Sequence, residues 1–356
     1  MTRRLGAVLI AVAAAGALAA PLLAPHADDV RFAGLLNAPP TLPHIVADDG
    51  SWHAPFIYPW RLVSRLEQRY EQDRGRRVPL VWLSTAPTIG PAPHLTLIRS
   101  SDEEAAPLLL LGADSFGRDV FSRLLYGARI SLSLAATAAL GATVVGGLVG
   151  GLAGFAGGAT DDLLMRATDF FMVLPAMYVA LALRSVLPLV LSARQIFLLL
   201  AAIFAVVGAP FIARGVRAIV RSERALEYAV AAEALGASAP RLLVRHLLPA
   251  ARGFVSVQIM LLVPAFIVAE ATLSYVGLGF PDPVASWGTM LHEASTNIRV
   301  FADFPWLLSP AAAMFVVVFA LNLVLQGDRS HAAFARRASA AEERLALRGE
   351  KLVPLA

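Results

Sequence analysis

Six runs of apolar residues, at 5–23, 130–155, 167–187, 196–212, 254–273 and 306–325, constrain this chain more than any other feature. Each is near the roughly 20 residues that a helix needs to cross a bilayer. The chain is 57% hydrophobic and only 16% charged, against about 25% charged for an ordinary soluble domain. A soluble core of this size has no room for that much apolar surface, whereas lipid covers it. The expected fold class is an all-α membrane protein with six transmembrane helices.

The first run follows Arg3 and Arg4 and contains Ala17-Leu18-Ala19. That small-residue pattern also fits a cleaved signal peptide. An uncleaved first helix, 1–24, is the preferred reading because five more runs follow, and both readings put residue 30 outside. A polar stretch, 25–126, comes next and holds Trp52, Trp60, Trp82 and many prolines. It reads as an extracytoplasmic insert, either a folded mini-domain or a loose loop. Within it, residues 61–74 look helical: Leu62, Leu66 and Tyr70 share one face, with Arg61, Arg65 and Arg69 beside it. The membrane-embedded part is expected over 127–325 and a cytoplasmic tail over 326–356.

Arginine placement gives the orientation. Arg214, Arg217, Arg221, Arg224, Arg241, Arg245 and Arg252 lie between the fourth and fifth runs, and the tail carries six more basic residues. Both segments are expected in the cytoplasm by the positive-inside rule, whereas the segments holding Arg194 and Arg299 are expected outside. The same clustering removes the argument for nucleic acid that a pI near 9.8 would otherwise raise. The single lysine, Lys351, follows Glu350, so the Gly-Lys of a phosphate-binding loop is missing. If ATP drives this machine, another chain hydrolyses it. Cysteine is absent, which excludes disulfides and thiolate metal sites. His292-Glu293 begins a zinc-protease motif, but Thr296 replaces its second histidine. No cofactor or metal is expected.

Small residues recur at Gly146/Gly150, Gly147/Gly151 and Gly150/Gly154, a spacing that lets helix backbones approach in lipid. Asp161, Asp162 and Asp169 fit a helix start better than a cation site. Glu270, near the outer end of the fifth run, must face protein or water. A structural hydrogen bond to the glycine-rich segment after it is favoured over contact with a substrate amine. Arg118, Asp119 and Arg123 are expected to stitch the outer loops together.

The cytoplasmic loop, 214–252, is the most informative segment. It reads Glu227-Tyr-Ala-Val-Ala-Ala-Glu-Ala-Leu-Gly236, then Ala-Ser-Ala-Pro-Arg-Leu-Leu-Val-Arg-His-Leu-Leu-Pro249. The pattern predicts a short alanine-rich helix, a glycine break, and a second helix ended by proline. Ala231, Ala232 and Ala234 leave a surface that another protein can approach closely. An amphipathic linker lying on the membrane fits the same pattern.

This stretch resembles the EAA loop of binding-protein-dependent ABC importer permeases, with Ala231, Ala232, Gly236, Leu248 and Pro249 at the family's spacing. The position of the motif's glutamate is Val230, flanked by Glu227 and Glu233. Leu111-Gly-Ala-Asp-Ser-Phe-Gly-Arg-Asp and Glu270-Ala-Thr-Leu-Ser-Tyr-Val-Gly-Leu-Gly-Phe-Pro-Asp-Pro are similar to segments of C-type subunits of dipeptide, oligopeptide and nickel permeases. The resemblance implies a MetI-like permease fold and a pore subunit without catalytic residues, importing peptides or a nickel chelate. Glu227, Ala231, Ala232, Glu233, Gly236, Leu248 and Pro249 would then couple it to an ATPase. The implied partners are a second permease subunit, two ABC ATPase subunits and an extracytoplasmic substrate-binding protein, assembled in the bacterial inner membrane. A membrane scaffold or a secondary transporter without an ATPase is the alternative.

Overall fold

The computed structural model describes residues 2–48, 50–85, 95–173, 176–186, 191–296 and 299–325; the expected tail lies outside them. Ten helices run in chain order: α1 Thr2–Leu18, α2 Ala20–Leu23, α3 Val120–Ala156, α4 Gly158–Val173, α5 Ala176–Ser185, α6 Ala193–Arg224, α7 Glu227–Ala234, α8 Ala239–Tyr275, α9 Trp287–Ser295 and α10 Pro305–Leu325. Among the described residues, α3, α6, α8 and α10 are long and apolar enough to cross a membrane. They coincide with the second, fourth, fifth and sixth apolar runs. The first run lies largely in α1, which has 17 residues. The run at 167–187 is divided between α4 and α5, with residues 174–175 and 187 outside the described residues.

Local chemistry sets the helix starts. The Asp119 carboxylate caps α3 by accepting from the amides of Phe121 and Ser122. Ser192 and Gln195 form a reciprocal capping box at α6. Each satisfies donors that the first helical turn leaves unpaired.

α3 and α6 form the spine of the helical body, and glycine is the reason they can. A Cβ on Gly146 would lie 2.6 Å from the Ala209 carbonyl oxygen, and one on Gly154 equally close to that of Arg217. Between them, a Cβ on Gly150 would overlap the Ala213 backbone. Three glycines spaced by four thus face three backbone positions spaced by four. The neighbouring glycines differ. Gly147 faces open space, whereas Gly151 sits against Leu243 and Leu248 of α8. Further toward the other end, Leu134, Ala138 and Ala142 of α3 pack with Leu200 and Phe204 of α6, and Phe204 stacks on Phe266 of α8 at 5.3 Å.

Between α2 and α3 the chain forms strands: β1 His44–Val46, β2 Trp52–Ile57, β3 Trp60–Ser64, β4 Arg69–Gln72, β5 Val78–Thr85 and β6 Leu95–Ser100. Four make an antiparallel sheet in the order β1-β2-β5-β6, and β3 pairs with β4. Ile57, Val78, Leu80, Ala106 and Leu108 give this unit its own core. The helix expected over 61–74 is therefore a hairpin. Alternation explains it: Trp60, Leu62 and Ser64 are half-buried while Arg61 and Val63 are exposed. Arg61 lies opposite Glu71 and Leu62 opposite Tyr70, which are favourable cross-strand pairs. Leu66, assigned by helical periodicity to the buried face, is 95% exposed in the turn.

The seam makes two glycines three residues apart respond oppositely. Gly150→Val should lower stability by about 1–3 kcal/mol through overpacking. Gly147→Ala should be neutral or gain up to about 1 kcal/mol from helix propensity. Thermal unfolding in detergent compares them, and equal shifts would count against backbone contact at Gly150.

Candidate functional site

The end of α6, the short α7 and the start of α8 form an elbow. Tyr228 joins its first two parts: the phenol donates to Glu223 Oε2 at 2.6 Å, and that hydrogen bond pushes its pKa up to about 12. α7 then ends in a tight reversal. The Gly236 amide donates to the Glu233 carbonyl oxygen at 2.9 Å and the Ala237 amide to that of Ala232 at 3.0 Å. This is the two-bond glycine cap of a helix C-terminus. It requires the left-handed backbone found at Gly236, φ +85°. No neighbour lies within 4 Å of where a Gly236 Cβ would be, so conformation and not crowding demands glycine there.

The seven residues expected to couple this loop to a partner fall into two groups. Glu227, Ala231, Glu233 and Gly236 are exposed. They surround Val230, which is 56% exposed, and lead to Leu235 at the tip, 89% exposed. Ala232, Leu248 and Pro249 are half-buried and face the body. Inward of α7, Ala229, Leu242 and Leu247 are buried in the main core. Pro249 does not end the second helix as expected. It occupies a 3-10 turn, Leu248–Ala251, that follows a π-helical turn and leads directly into the membrane-crossing part of α8. Proline is tolerated there because the amides of a helix's first turn need no partner within it.

Above the elbow, arginines of α6 grip its neighbours. Arg217 donates through Nε to Asp161 Oδ1 at 2.5 Å and also engages Oδ2, and Arg214 pairs with Asp169. Arg224 donates to the Phe155 carbonyl oxygen and lies 4.4 Å over its ring. Asp161 does sit in the first turn of α4, but the expectation of simple capping is corrected. Asp161 and Asp169, eight apart on α4, tie that helix to α6.

At the opposite end a second charge cluster joins three segments. Arg118 is fully buried and donates to Asp114 at 2.7 Å, Asp282 at 2.6 Å and Glu293 at 2.6 Å. Burial works against its charge, but Asp114 and Glu293 outweigh that and hold its pKa above the ordinary value. Arg123 reaches Glu293 at 3.2 Å and the carbonyl oxygens of Asp28 and Pro283 at 3.0 and 3.2 Å. Asp119 accepts from Ser122 and pairs with His26 at 3.2 Å. The stitching role expected of Arg118, Asp119 and Arg123 is what these contacts perform.

Glu270 is 1% exposed and accepts from Ser131 at 3.0 Å, Ser274 at 2.8 Å and Ser286 at 2.7 Å. Its side-chain partners are serines of α3, α8 and the α9 cap rather than the glycine-rich segment directly after it, and the Gly288 backbone also donates to it. Gly288 makes the approach possible, since a Cβ there would lie 2.7 Å from the Ala271 Cα.

Periodicity gave no sign of a cleft of about 490 Å³ between α5, α6 and α8. Ala180, Phe204, Phe211, Leu262 and Phe266 line it, and Gln258 is its only polar side chain. Single apolar runs look uniform in sequence, and only packing distinguishes a cleft face from a lipid face.

Residues 146–339 match the family described as "Binding-protein-dependent transport system inner membrane component". The chain is 38% identical over 219 residues to the oligopeptide transport system permease protein OppC of Bacillus subtilis, covering 61% of this chain and 69% of that protein. It is 34% identical over 282 residues to the dipeptide transport system permease protein DppC of the same organism, covering 74% and 86%.

The outer charge cluster predicts a stability effect. Glu293→Ala leaves two buried guanidiniums with fewer partners. Breaking such a pair costs about 3–5 kcal/mol, and the loss should fall at the low end because Asp114 and Asp282 remain. A chemical denaturation series in detergent measures it; no loss would mean that Asp114 and Asp282 suffice.

Proposed function

Because the chain belongs to the family of binding-protein-dependent transport system inner membrane components, we propose that it is one half of the pore of an ATP-driven peptide importer, turned by a separate ATPase through its α6–α7–α8 elbow. The family is a MetI-like membrane permease, not itself an enzyme, and the chain is a multi-pass protein of the bacterial inner membrane. Peptide as cargo is drawn from the relatives' names; a nickel chelate is the alternative cargo.

The observation that carries the coupling role is α7 itself, a short helix held at both ends whose outer face is small and apolar. Exposed large apolar side chains on a cytoplasmic surface mark a contact with another protein. Leu226, Val230 and Leu235 are 47%, 56% and 89% exposed. Ala231 and Ala234 between them allow close approach, and Glu227 and Glu233 offer charge to a basic partner. Glu227, Ala231, Glu233 and Gly236 would meet the ATPase. Ala232, Leu248 and Pro249 would pass its movement inward, because they bear on the body.

In this reading six helices span the membrane, with both termini and the elbow in the cytoplasm and the β unit outside. A second permease subunit completes the pore. Two ABC ATPases close on ATP, and a substrate-binding protein delivers the solute. Closure biases a two-state equilibrium toward the outward-open arrangement.

Two outcomes test this. Solubilised gently from its native membrane, the chain should co-purify with an ATPase; its isolation without one would favour a scaffold or secondary transporter. Gly236→Val places a β-branched residue in a left-handed backbone, at about 1–2 kcal/mol of local strain. Insertion should be normal while uptake is lost, and normal uptake would remove the coupling role.

A further inference from the structure

Arg184 stands at the outer end of α5 and is 3% exposed. Its Nε donates to the Leu278 carbonyl oxygen, just past α8, at 2.9 Å. Its Nη1 is buried and has no hydrogen-bond partner. The contrast with Arg118 is sharp: three carboxylates surround that guanidinium, whereas among the described residues none lies within ion-pair distance of Arg184. A buried donor left unpaired is destabilising, and a charged one more so.

Its position gives that donor a use. Ala180, one helical turn inward on the same face of α5, lines the apolar cleft between α5, α6 and α8. Arg184 is therefore about 6 Å of helix rise beyond Ala180, and Gln258 lines the cleft from the earlier part of α8. The lining is otherwise apolar, so it would accept many side chains without choosing among them.

We propose that this cleft is a wall of the solute's passage and that Arg184 recognises the solute's terminal carboxylate at its outer end. The inference rests on the peptide-importer reading and deepens it. A guanidinium presents paired N–H donors matched to a carboxylate. A peptide of any sequence carries that group at its C-terminus. The unpaired Nη1 acquires a partner only when the outer end of the cleft admits solute, so the carboxylate stabilises that arrangement over the closed one. Gln258 then supplies an amide to the peptide backbone as the solute passes inward.

The test uses the whole importer in proteoliposomes, with a tripeptide and its C-terminal amide each at a concentration that saturates the binding protein. Arg184→Gln should lower uptake of the free acid about tenfold, the worth of one charge-assisted hydrogen bond, and leave uptake of the amide nearly unchanged. Equal losses for both peptides, or no loss for either, would overturn the assignment. If the glutamine variant fails to assemble, Arg184→Lys carries the test. A loss confined to the free acid supports recognition of the carboxylate by the guanidinium, and equal changes for both peptides, or none, refute it. Absence of uptake of either peptide by the wild-type assembly would instead defeat the peptide-importer reading itself.

Discussion

Backbone-to-backbone contact between α3 and α6 is the constraint on which the rest of the helical body depends. In lipid there is no hydrophobic gain from pressing two apolar helices together, so close packing must supply the attraction. Gly146, Gly150 and Gly154 remove the side chains that would hold α3 away from Ala209, Ala213 and Arg217. Once the backbones touch, the rows on either side have fixed partners. Phe204 stacks on Phe266, bringing in α8, and Gly151 turns toward Leu243 and Leu248. A seam of missing atoms thus sets the position of three crossing helices.

Charge finishes what close packing begins, and it does so near the helix ends. At one end Arg214 and Arg217 of α6 hold Asp169 and Asp161 of α4. At the other, Arg118 and Arg123 gather Asp114, Asp282 and Glu293 from segments far apart in the chain. Glu270 takes a charge-bearing group well into the body, and there three hydroxyls donate to it. A carboxylate accepting from donors on three elements fixes their spacing, and the hydroxyls fill lone pairs that burial would otherwise leave empty.

Much of this was legible from the residues. Long apolar runs marked α3, α6, α8 and α10, and the glycine spacing marked the seam. The sequence Glu227 to Gly236 marked a glycine-ended helix. Features that depend on which side a residue faces after packing were not legible. Asp161 and Asp169 look like cap residues until α6 lies beside them with arginines at matching height. Leu62, Leu66 and Tyr70 satisfy a helical period, but Leu62 and Tyr70 equally satisfy a two-stranded pairing. The decision fell to cross-strand partners such as Glu71 that a single window does not weigh. Pro249 reads as a stop, although proline within the first turn of a helical segment interrupts nothing.

These arrangements also bear on the coupling role proposed for α7. α7 is bound to α6 through Tyr228 and Glu223, and its glycine cap closes its other end just before α8 begins. A push on its exposed face is carried into the start of α8, where the π and 3-10 turns between Leu243 and Ala251 make the one irregular stretch of that helix. Irregular turns of this kind are where a helix yields. Leu243 and Leu248 of that same stretch rest on Gly151 of α3, one residue from the seam that joins α3 to α6. The irregular part of α8 therefore packs beside the backbone seam of α3 and α6. Displacement there has to move α3 and α6 together, while Glu270 holds α8 to α3 and α9 farther along. Side-chain contacts thus run from the start of α8 to α3, and from α8 to α9 through Glu270.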